Sequence, residues 1–338
     1  LTRRLKRVVL TCPTAMLDAE KKILREHGRD AMEALKESLG KEVIDPEMRV
    51  IPDPDEIGAR KMKDWGYDEA TCVQLSFLYG EIHKRFSNDA HLFFQTLGKK
   101  RPDSNDPTQQ SVTVACLDIG GGTSDLMICD YQRDPTANDC VLHPNPMFWE
   151  GFNLAGDNIL RRIIERIVLP AIKDKPEQMG CHNPPQTMNI LFGPHHRSQS
   201  VLARARRKQF ANQVAVPIAL GIIQHATSDL PIEHRDFLSF FVNFPAPHPE
   251  VLSHVNEFIQ RKGAQDFRVE DVTWTINTQE TNTVIRQVMQ QMVGNLCGVI
   301  SQFDCDYLLL AGRPTILPVI REIFLQYLPL MPDRIILM

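Results

Sequence analysis

The residues best suited to chemistry lie between Asp118 and Asp125, in the segment DIGGGTSD. Three successive glycines can bring backbone amide hydrogens close to a bulky anion, because no side chain keeps the anion away. Asp118 stands just before these glycines, where a carboxylate can hold a metal ion or orient a water molecule. Residue types and spacing therefore predict a phosphate-binding loop with a metal-handling carboxylate beside it.

The plain alternative for this loop is the turn of a β-hairpin, which needs only one or two glycines. The third glycine, with Asp118, Thr123 and Asp125 around it, exceeds that need and favours phosphate binding. A Walker loop is excluded, since no Gly-Lys-Ser/Thr follows. A dinucleotide-binding fingerprint fits poorly, because the loop leads into a strand-like segment rather than a helix.

A second candidate binding corner follows the apolar run YLLLA at Tyr307–Ala311. This run predicts a buried strand. The residues Gly312, Arg313, Pro314 and Thr315 come next, and a helix is predicted from about Ile316. A strand, a glycine turn and a helix start form a ligand-binding corner of the kind found at the carboxyl ends of strands in open α/β sheets.

The elements that must position these residues alternate between strand and helix patterns, which predicts an α/β fold. Apolar runs predict strands at residues 7–12 and a hairpin at residues 112–131. Apolar periodicity predicts helices at residues 18–39, 69–86, 251–260 and 281–303, and another beginning near Gly156. Residues 237–244 predict a strand or another buried segment. Prolines and polar residues predict irregular connections at residues 41–64, 99–110 and 174–189.

Composition is that of an ordinary globular protein, with 338 residues, 43% hydrophobic and 24% charged. A net charge of -4 gives no general attraction to nucleic acid or anionic membranes. No apolar run reaches the ~20 residues of a membrane helix. We therefore expect neither a nucleic-acid partner nor a membrane span. The eight cysteines form no CxxC pair, which indicates a reducing, cytoplasmic location.

Two other polar features have ordinary alternatives. Cys181-His182 and His195-His196 could gather zinc, but their spacing fits no finger pattern. The basic stretch at residues 195–208 could face a nucleotide, an acidic partner or RNA. A solvated helix face is favoured for it. No interleaved aromatic residues support nucleic-acid stacking.

Together these segments resemble the ATPase domains of the actin, Hsp70 and sugar kinase superfamily. LDIGGGTSD is similar to that superfamily's second phosphate loop, in the Hsp70 form Asp-x-Gly-Gly-Gly-Thr-x-Asp. LLLAGRPTILP is similar to its adenosine-binding corner, a strand followed by Gly-Gly-Ser-Thr-x-x-Pro. Weaker matches stand in the same order: VVLTCPTAMLDAEKK, Glu69-Ala70-Thr71 for Glu-Pro-Thr, and GFNLAGDNIL for Leu-Gly-Gly-Glu-Asp-Phe-Asp.

At family level the chain resembles the bacterial SrfB group of virulence factors, chiefly through RRLKRVVLTCPTAM, EATCVQLSFLYGEI and LLLAGRPT. The resemblance implies an actin-like ATPase (ribonuclease H-like) fold that is incomplete at the N-terminus. Residues 1–110 would form part of a first lobe. Residues 111–156 and 271–338 would form the core of a second lobe. Residues 157–270 would be an inserted, mostly helical subdomain.

The resemblance also implies ATP and Mg²⁺ as cofactors. The amides of Gly120, Gly121 and Gly122 would bind the phosphates, and Asp118 would hold the metal through water. The remaining implied site residues are Thr123 at the γ-phosphate, Glu69 in the water shell of the metal, and Gly156, Gly312, Arg313 and Thr315 around the nucleotide. Such sites act by positioning and by neutralising phosphoryl charge.

Departures from the family pattern limit the implied activity. Nothing corresponds to the first phosphate loop, and Arg313 and Pro314 replace a Gly and a Ser at the adenosine corner. We therefore expect weak or undetectable ATP hydrolysis. One alternative is a non-catalytic actin-like scaffold for a protein partner. Another is a kinase or exopolyphosphatase of the same fold.

Overall fold

The computed structural model describes residues 4–13, 16–39, 43–51, 68–137, 140–193, 200–228 and 230–338. Over these residues the chain has the α/β character that its sequence predicts. The possible zinc ligands His195 and His196 lie outside them. The chain divides into two compact units. The first contains Leu1–Ala155, Leu296–Thr315 and Tyr327–Met338, and the second contains Gly156–Asn295 and Ile316–Gln326. The predicted division into lobes and an inserted subdomain stays a prediction.

The first unit begins with a parallel pair of strands, β1 (Leu5–Val9) and β2 (Ile44–Ile51), connected through α1 (Asp18–Leu39). β2 corrects the prediction of an irregular connection at residues 41–64, most of which lies outside the described residues. Pro46 obscured this strand, because proline has no N–H for a strand ladder. The register shifts between Leu5 and Arg7 of β1, and this irregularity lets pairing continue past the proline.

Helix α1 has the predicted bounds but not the expected burial. It buries the cations Lys21 and Arg25. Its predicted apolar positions are instead exposed: Ile23, Leu24, Ala31, Leu35 and Leu39. The first unit therefore carries an apolar helix face that no described residue of the chain covers.

The centre of the first unit is a six-stranded sheet. Its strands are β3 (Lys99–Lys100), β4 (Gln110–Ile119), β5 (Ser124–Arg133), β6 (Leu142–Phe152), β9 (Tyr307–Ala311) and β10 (Ile335–Leu337). The long path runs β10, β9, β4, β5, β6, with β3 paired to β4. β4 is antiparallel to β5 and parallel to β9. The predicted hairpin and the predicted strand at residues 307–311 are both confirmed.

Helices α2 (Glu69–Gly80) and α3 (Ala90–Leu97) cover one face of this sheet, with a π-helical turn at Glu81–Arg85 continuing α2. Side chains alternate along β4, so Val112, Val114 and Cys116 point to this face and are buried. Gln74 fixes α2 on the hairpin. It donates to the carbonyls of Val114 and Met127 at 3.1 Å each. These bonds hold α2 with its N-terminus toward the end of the hairpin that carries the glycine loop.

The second unit is mostly helical. Its helices are α4 (Gly156–Ile163), α5 (Leu169–Gln178), α6 (Pro184–Phe192), α7 (Val201–Phe210), α8 (Val216–His225), α9 (Pro249–Gln260), most of α10 (Thr278–Gln302) and most of α11 (Pro318–Tyr327). A small antiparallel pair, β7 (Glu233–Asp236) and β8 (Thr273–Ile276), completes it. The helices predicted near Gly156 and at residues 251–260 and 281–303 are confirmed.

One expectation for the second unit is wrong, and of the two alternatives left open for residues 237–244 the buried segment is confirmed. Residues 174–189 are largely helical in α5 and α6. The prolines of α6 occupy its first positions, where no intrahelical N–H bond is lost, whereas Pro176 lies inside α5. Residues 237–244 form a 3₁₀ turn at Leu238–Phe241 rather than a strand. Phe237, Phe240 and Phe241 are buried there. This spacing follows a helical period and not the alternation of a strand.

All eight cysteines are free, which agrees with the prediction that the sequence carries no disulfide framework. Within the described ranges, no helix is long and apolar enough to cross a membrane.

Candidate functional site

The two predicted binding loops lie side by side in the first unit. β4 and β9 are adjacent parallel strands, and Asp118 at the end of β4 pairs with Ala311 at the end of β9. Gly312 follows with a left-handed backbone, φ +88°. A Cβ there would lie 2.1 Å from the carbonyl oxygen of Ile119 and 2.7 Å from Oδ1 of Asp118. The missing side chain of Gly312 is what allows the two loops to meet.

The glycines of the hairpin loop have different structural roles. The amide of Gly120 donates to the carbonyl of Thr123 at 2.9 Å and closes the turn. The amides of Gly121 and Gly122 donate to no acceptor among the described residues, and both glycines are exposed. A Cβ at Gly122 would meet nothing within 4 Å. Packing within the protein therefore explains Gly120 but gives no reason for a glycine at position 122.

The corner after β9 is a short 3₁₀ turn at Arg313–Ile316. The hydroxyl of the buried Thr315 donates to the carbonyl of Gly312 at 2.7 Å, and the Thr315 amide donates to the same carbonyl at 3.1 Å. Thr315 therefore shapes this turn. Arg313 is exposed and forms no ion pair with a described residue. Its guanidinium is the group at this corner that can reach a ligand.

A group of carboxylates lies where α2 begins, at the end of the hairpin that carries the glycine loop. Asp118 and Asp125 are cross-strand partners, so their side chains share the sheet face that α2 covers. Asp68 caps α2, because its carboxylate accepts from the Thr71 amide at 2.8 Å and from the Thr71 hydroxyl at 2.6 Å. Glu69 occupies the first position of the helix. The start of α2 thus brings two more carboxylates toward the phosphate-loop candidate.

Burial and mutual repulsion change the acidity of this cluster. Burial raises the pKa of Glu69, and the negative charges of Asp118, Asp125 and Asp68 raise it further. Burial also raises the pKa of Asp118. The raised pKa values mean that burial and repulsion destabilise the charged carboxylates. A bound cation would offset that repulsion, so the cluster is suited to binding one.

The cluster does not form a complete metal cage. In the part of the chain that the structure describes, no group of three or more His, Cys, Asp and Glu side chains could hold a metal ion. Mg²⁺ normally keeps several of its waters and takes one or two carboxylates plus substrate phosphates. One half-buried carboxylate beside an open glycine loop fits that mode, so Mg²⁺ held through water by Asp118 stays a prediction.

We expect Asp118→Asn to raise the free energy of unfolding at pH 7, by a few tenths of a kcal/mol to about 1 kcal/mol after solvent screening. The folded-state pKa of Asp118 lies above its unfolded value, so the charged carboxylate destabilises the folded protein above that pKa. The penalty disappears below the unfolded pKa of ~3.9, where both states are protonated. Urea unfolding at pH 7 and near pH 3.5 measures both ends of this window.

The control for that measurement is Asp266→Asn, at an exposed aspartate of the second unit. It should change stability little at either pH. A loss of stability in Asp118→Asn at pH 7 would contradict the prediction, since it would mean that the Asp118 carboxylate stabilises the fold.

Most of the predicted site residues belong to the first unit, and the structure adds two to them. Gly156 is the exception, as the first residue of α4 in the second unit. Asp68 was not predicted as a site residue, and Asp125 was predicted to lie at the loop but was given no role in the site. The helix cap was a possible signal for Asp68, because an Asp directly before a helical pattern is a preferred N-cap. Asp125 required the register of the hairpin, in which it faces Asp118.

The family model described as Virulence factor SrfB matches residues 1–338. No curated protein matches the chain.

Proposed function

The chain belongs to the SrfB virulence factor family, and we propose that its first unit binds a magnesium nucleotide, ATP, at the loop between Asp118 and Asp125. The observation that carries this proposal is the close approach of Gly312 to Asp118. It joins a glycine loop and a strand-to-helix corner at the carboxyl ends of two adjacent strands. Ligands of open α/β sheets bind at such positions.

Each part of the ligand has a suitable partner among the described residues. The exposed amides of Gly121 and Gly122 would bind phosphate oxygens, since they donate to no described acceptor. Asp118 would hold Mg²⁺ through water, and Glu69 would complete the water shell. Bound ATP would supply the phosphoryl groups whose charge the metal neutralises.

The fold that we propose for this site is the actin-like ATPase fold of the superfamily that the motifs resemble. The hairpin would serve as a phosphate loop and the corner at residues 312–316 as the nucleoside-binding edge. Arg313 would stack on the base, because it is exposed and forms no ion pair with a described residue. Thr123 would lie at the γ-phosphate, since it is exposed at the tip of the loop.

Calorimetry with Mg-ATP tests the proposal. We expect the unchanged protein to bind one nucleotide. Asp118→Asn should weaken that binding about tenfold or more, ~1.4 kcal/mol, by removing the charge next to the metal. Gly122→Val should weaken it similarly, because the new side chain would enter the space left for the phosphates. Neither change should lower thermal stability, since the site of Gly122 is open.

Asp266→Asn is the control for charge and should bind Mg-ATP like the unchanged protein. Equal affinities in Asp118→Asn, Gly122→Val and the control would contradict the proposal, as would a lack of binding in the unchanged protein. Repeating the titration with EDTA in place of Mg²⁺ separates the role of the metal from that of the amides.

A second candidate function is a scaffold that binds a protein partner without nucleotide. The exposed apolar face of α1 favours it, with Ile23 and Leu39 each more than half exposed. An exposed apolar patch on a folded protein is often an interaction surface. The same titration separates the two candidates, because a scaffold would show no heat with Mg-ATP.

A further inference from the structure

The second unit contains a pocket of about 700 Å³. Its walls are mostly apolar and include Ile164, Leu169, Phe192 and Phe210. The rings of Phe192 and Phe210 lie 4.7 Å apart and form one side. This volume falls within the range of ~300–1,000 Å³ that is usual for small-molecule sites. The pocket is separate from the candidate site at Asp118, which belongs to the first unit.

Two π-helical turns contribute to the pocket walls. One runs Ile164–Val168 between α4 and α5, and the other runs Ala211–Ala215 between α7 and α8. Each is followed two residues later by a proline, Pro170 or Pro217. A proline lacks the N–H that would bond four residues back, so the helix widens locally at these points. Turns of this kind are rare and occur often at functional sites.

The mouth of the pocket carries two positive charges that pair with no acidic side chain among the described residues. Arg204 and Lys208 both line the pocket and stand four residues apart on α7, so they share one face of that helix. Neither forms an ion pair with any residue in the described ranges. A third cation, Arg207, is occupied instead, because its guanidinium donates to the carbonyls of Gly193 and Ile190 at the end of α6.

This combination selects a particular chemistry. An apolar cavity alone would accept many apolar molecules. Two cations at its mouth, which form no ion pair with a described residue, favour a ligand with one negative end. A solvated helix face explains why Arg204 and Lys208 are exposed. It does not explain why the helix face that carries them closes over an apolar space and two π-helical turns.

We propose that this pocket binds a fatty acid. The acyl chain would lie against Phe192 and Phe210, where it leaves water. The carboxylate would lie between Arg204 and Lys208. Fatty-acid binding at this pocket does not require a nucleotide in the first unit, so this proposal is independent of the function proposed for that unit.

A calorimetric titration of the whole chain with decanoate tests the assignment. We expect saturable binding of one decanoate per chain. The double variant Arg204→Gln/Lys208→Gln should bind decanoate at least about tenfold more weakly than the unchanged protein, because both charges at the mouth are lost. Binding of decanol, which has the same chain length and no charge, should be equal in the unchanged and double-variant proteins.

A second variant tests the cavity itself. Ala205→Trp places a large ring at an exposed, pocket-lining position of α7, so it should block decanoate and decanol alike without disturbing the core. The charge control is Arg161→Gln/Lys173→Gln, at cations paired to Glu165 and Glu177, and it should leave decanoate binding unchanged. The proposal fails if decanoate does not saturate, if the Arg204 and Lys208 variant binds it normally, or if Ala205→Trp has no effect.

Discussion

Replacing Arg101 by methionine is expected to lower the free energy of unfolding by about 3–5 kcal/mol, the usual cost of breaking a buried ion pair. Arg101 is 8% exposed and Asp306 is 6% exposed. The guanidinium donates to Oδ2 of Asp306 at 2.7 Å and to the carbonyls of Ser111 and Asp304 at 2.9 Å each. Methionine fills similar space but donates nothing, so a buried carboxylate and two carbonyls lose a donor.

The effect should be local to the central sheet. The Asp306 carboxylate also accepts from the Thr113 amide at 2.9 Å, so this pair joins the start of β9 to β4. Amide hydrogen exchange at residues of β4 and β9 should therefore show the largest loss of protection. Urea unfolding gives the total change.

Arg85→Met is the matched control, because Arg85 forms an exposed ion pair with Glu81 at 3.1 Å. Its cost should be below about 0.5 kcal/mol. Equal losses in the two variants would mean that the buried pair contributes no more than a surface pair. The double variant Arg101→Met/Asp306→Leu should recover part of the loss, because it removes the buried carboxylate that has lost the guanidinium and keeps only the half-exposed Lys99 ammonium, at 3.3 Å.

The sequence predicted the central elements because their signals are local. β4, β5 and β9 each contain an apolar run, at residues 114–117, 126–129 and 307–311, and α1 and α10 keep a helical period over many residues. Two secondary-structure predictions failed because a proline was interpreted as a sign of an irregular connection. Pro46 concealed β2, while Pro184 was taken for a loop residue although it begins α6. The prediction of which face of α1 is buried failed for another reason. The face of a helix that is covered depends on neighbours far along the chain.

The candidate site was only partly predictable for a similar reason. The types and order of Asp118, Gly122 and Gly312 are readable in the sequence. Their proximity is not, because it depends on β9 pairing with β4 across almost two hundred residues. The different roles of Gly120 and Gly122 also depend on geometry, namely on the bond from Gly120 to Thr123. The local pattern thus indicates the residue types of the candidate site, and the order of the strands brings these residues together.

Gly312→Ala is expected to lower the free energy of unfolding by about 3 kcal/mol or more. Two costs contribute. An alanine at φ +88° is strained by ~1–2 kcal/mol. Its Cβ would also lie 2.1 Å from the backbone oxygen of Ile119, and forced overpacking of this kind costs ~1–3 kcal/mol. Because the contact is with backbone, no side-chain rotation can relieve it, and β9 must move away from the end of β4.

Gly298→Ala is the matched control. Gly298 lies within α10, and a Cβ there meets nothing within 4 Å. Alanine is favoured over glycine by about 0.5–1 kcal/mol in a helix interior, so this variant should be more stable than the unchanged protein. Opposite signs for the same chemical change would show that position 312 requires glycine for the contact with Ile119 and Asp118. A neutral Gly312→Ala variant in urea unfolding would mean that the two loops do not meet as closely as the fold indicates. Because Asp118 borders the same space, Gly312→Ala should also weaken Mg-ATP binding, whereas Gly298→Ala should leave it unchanged.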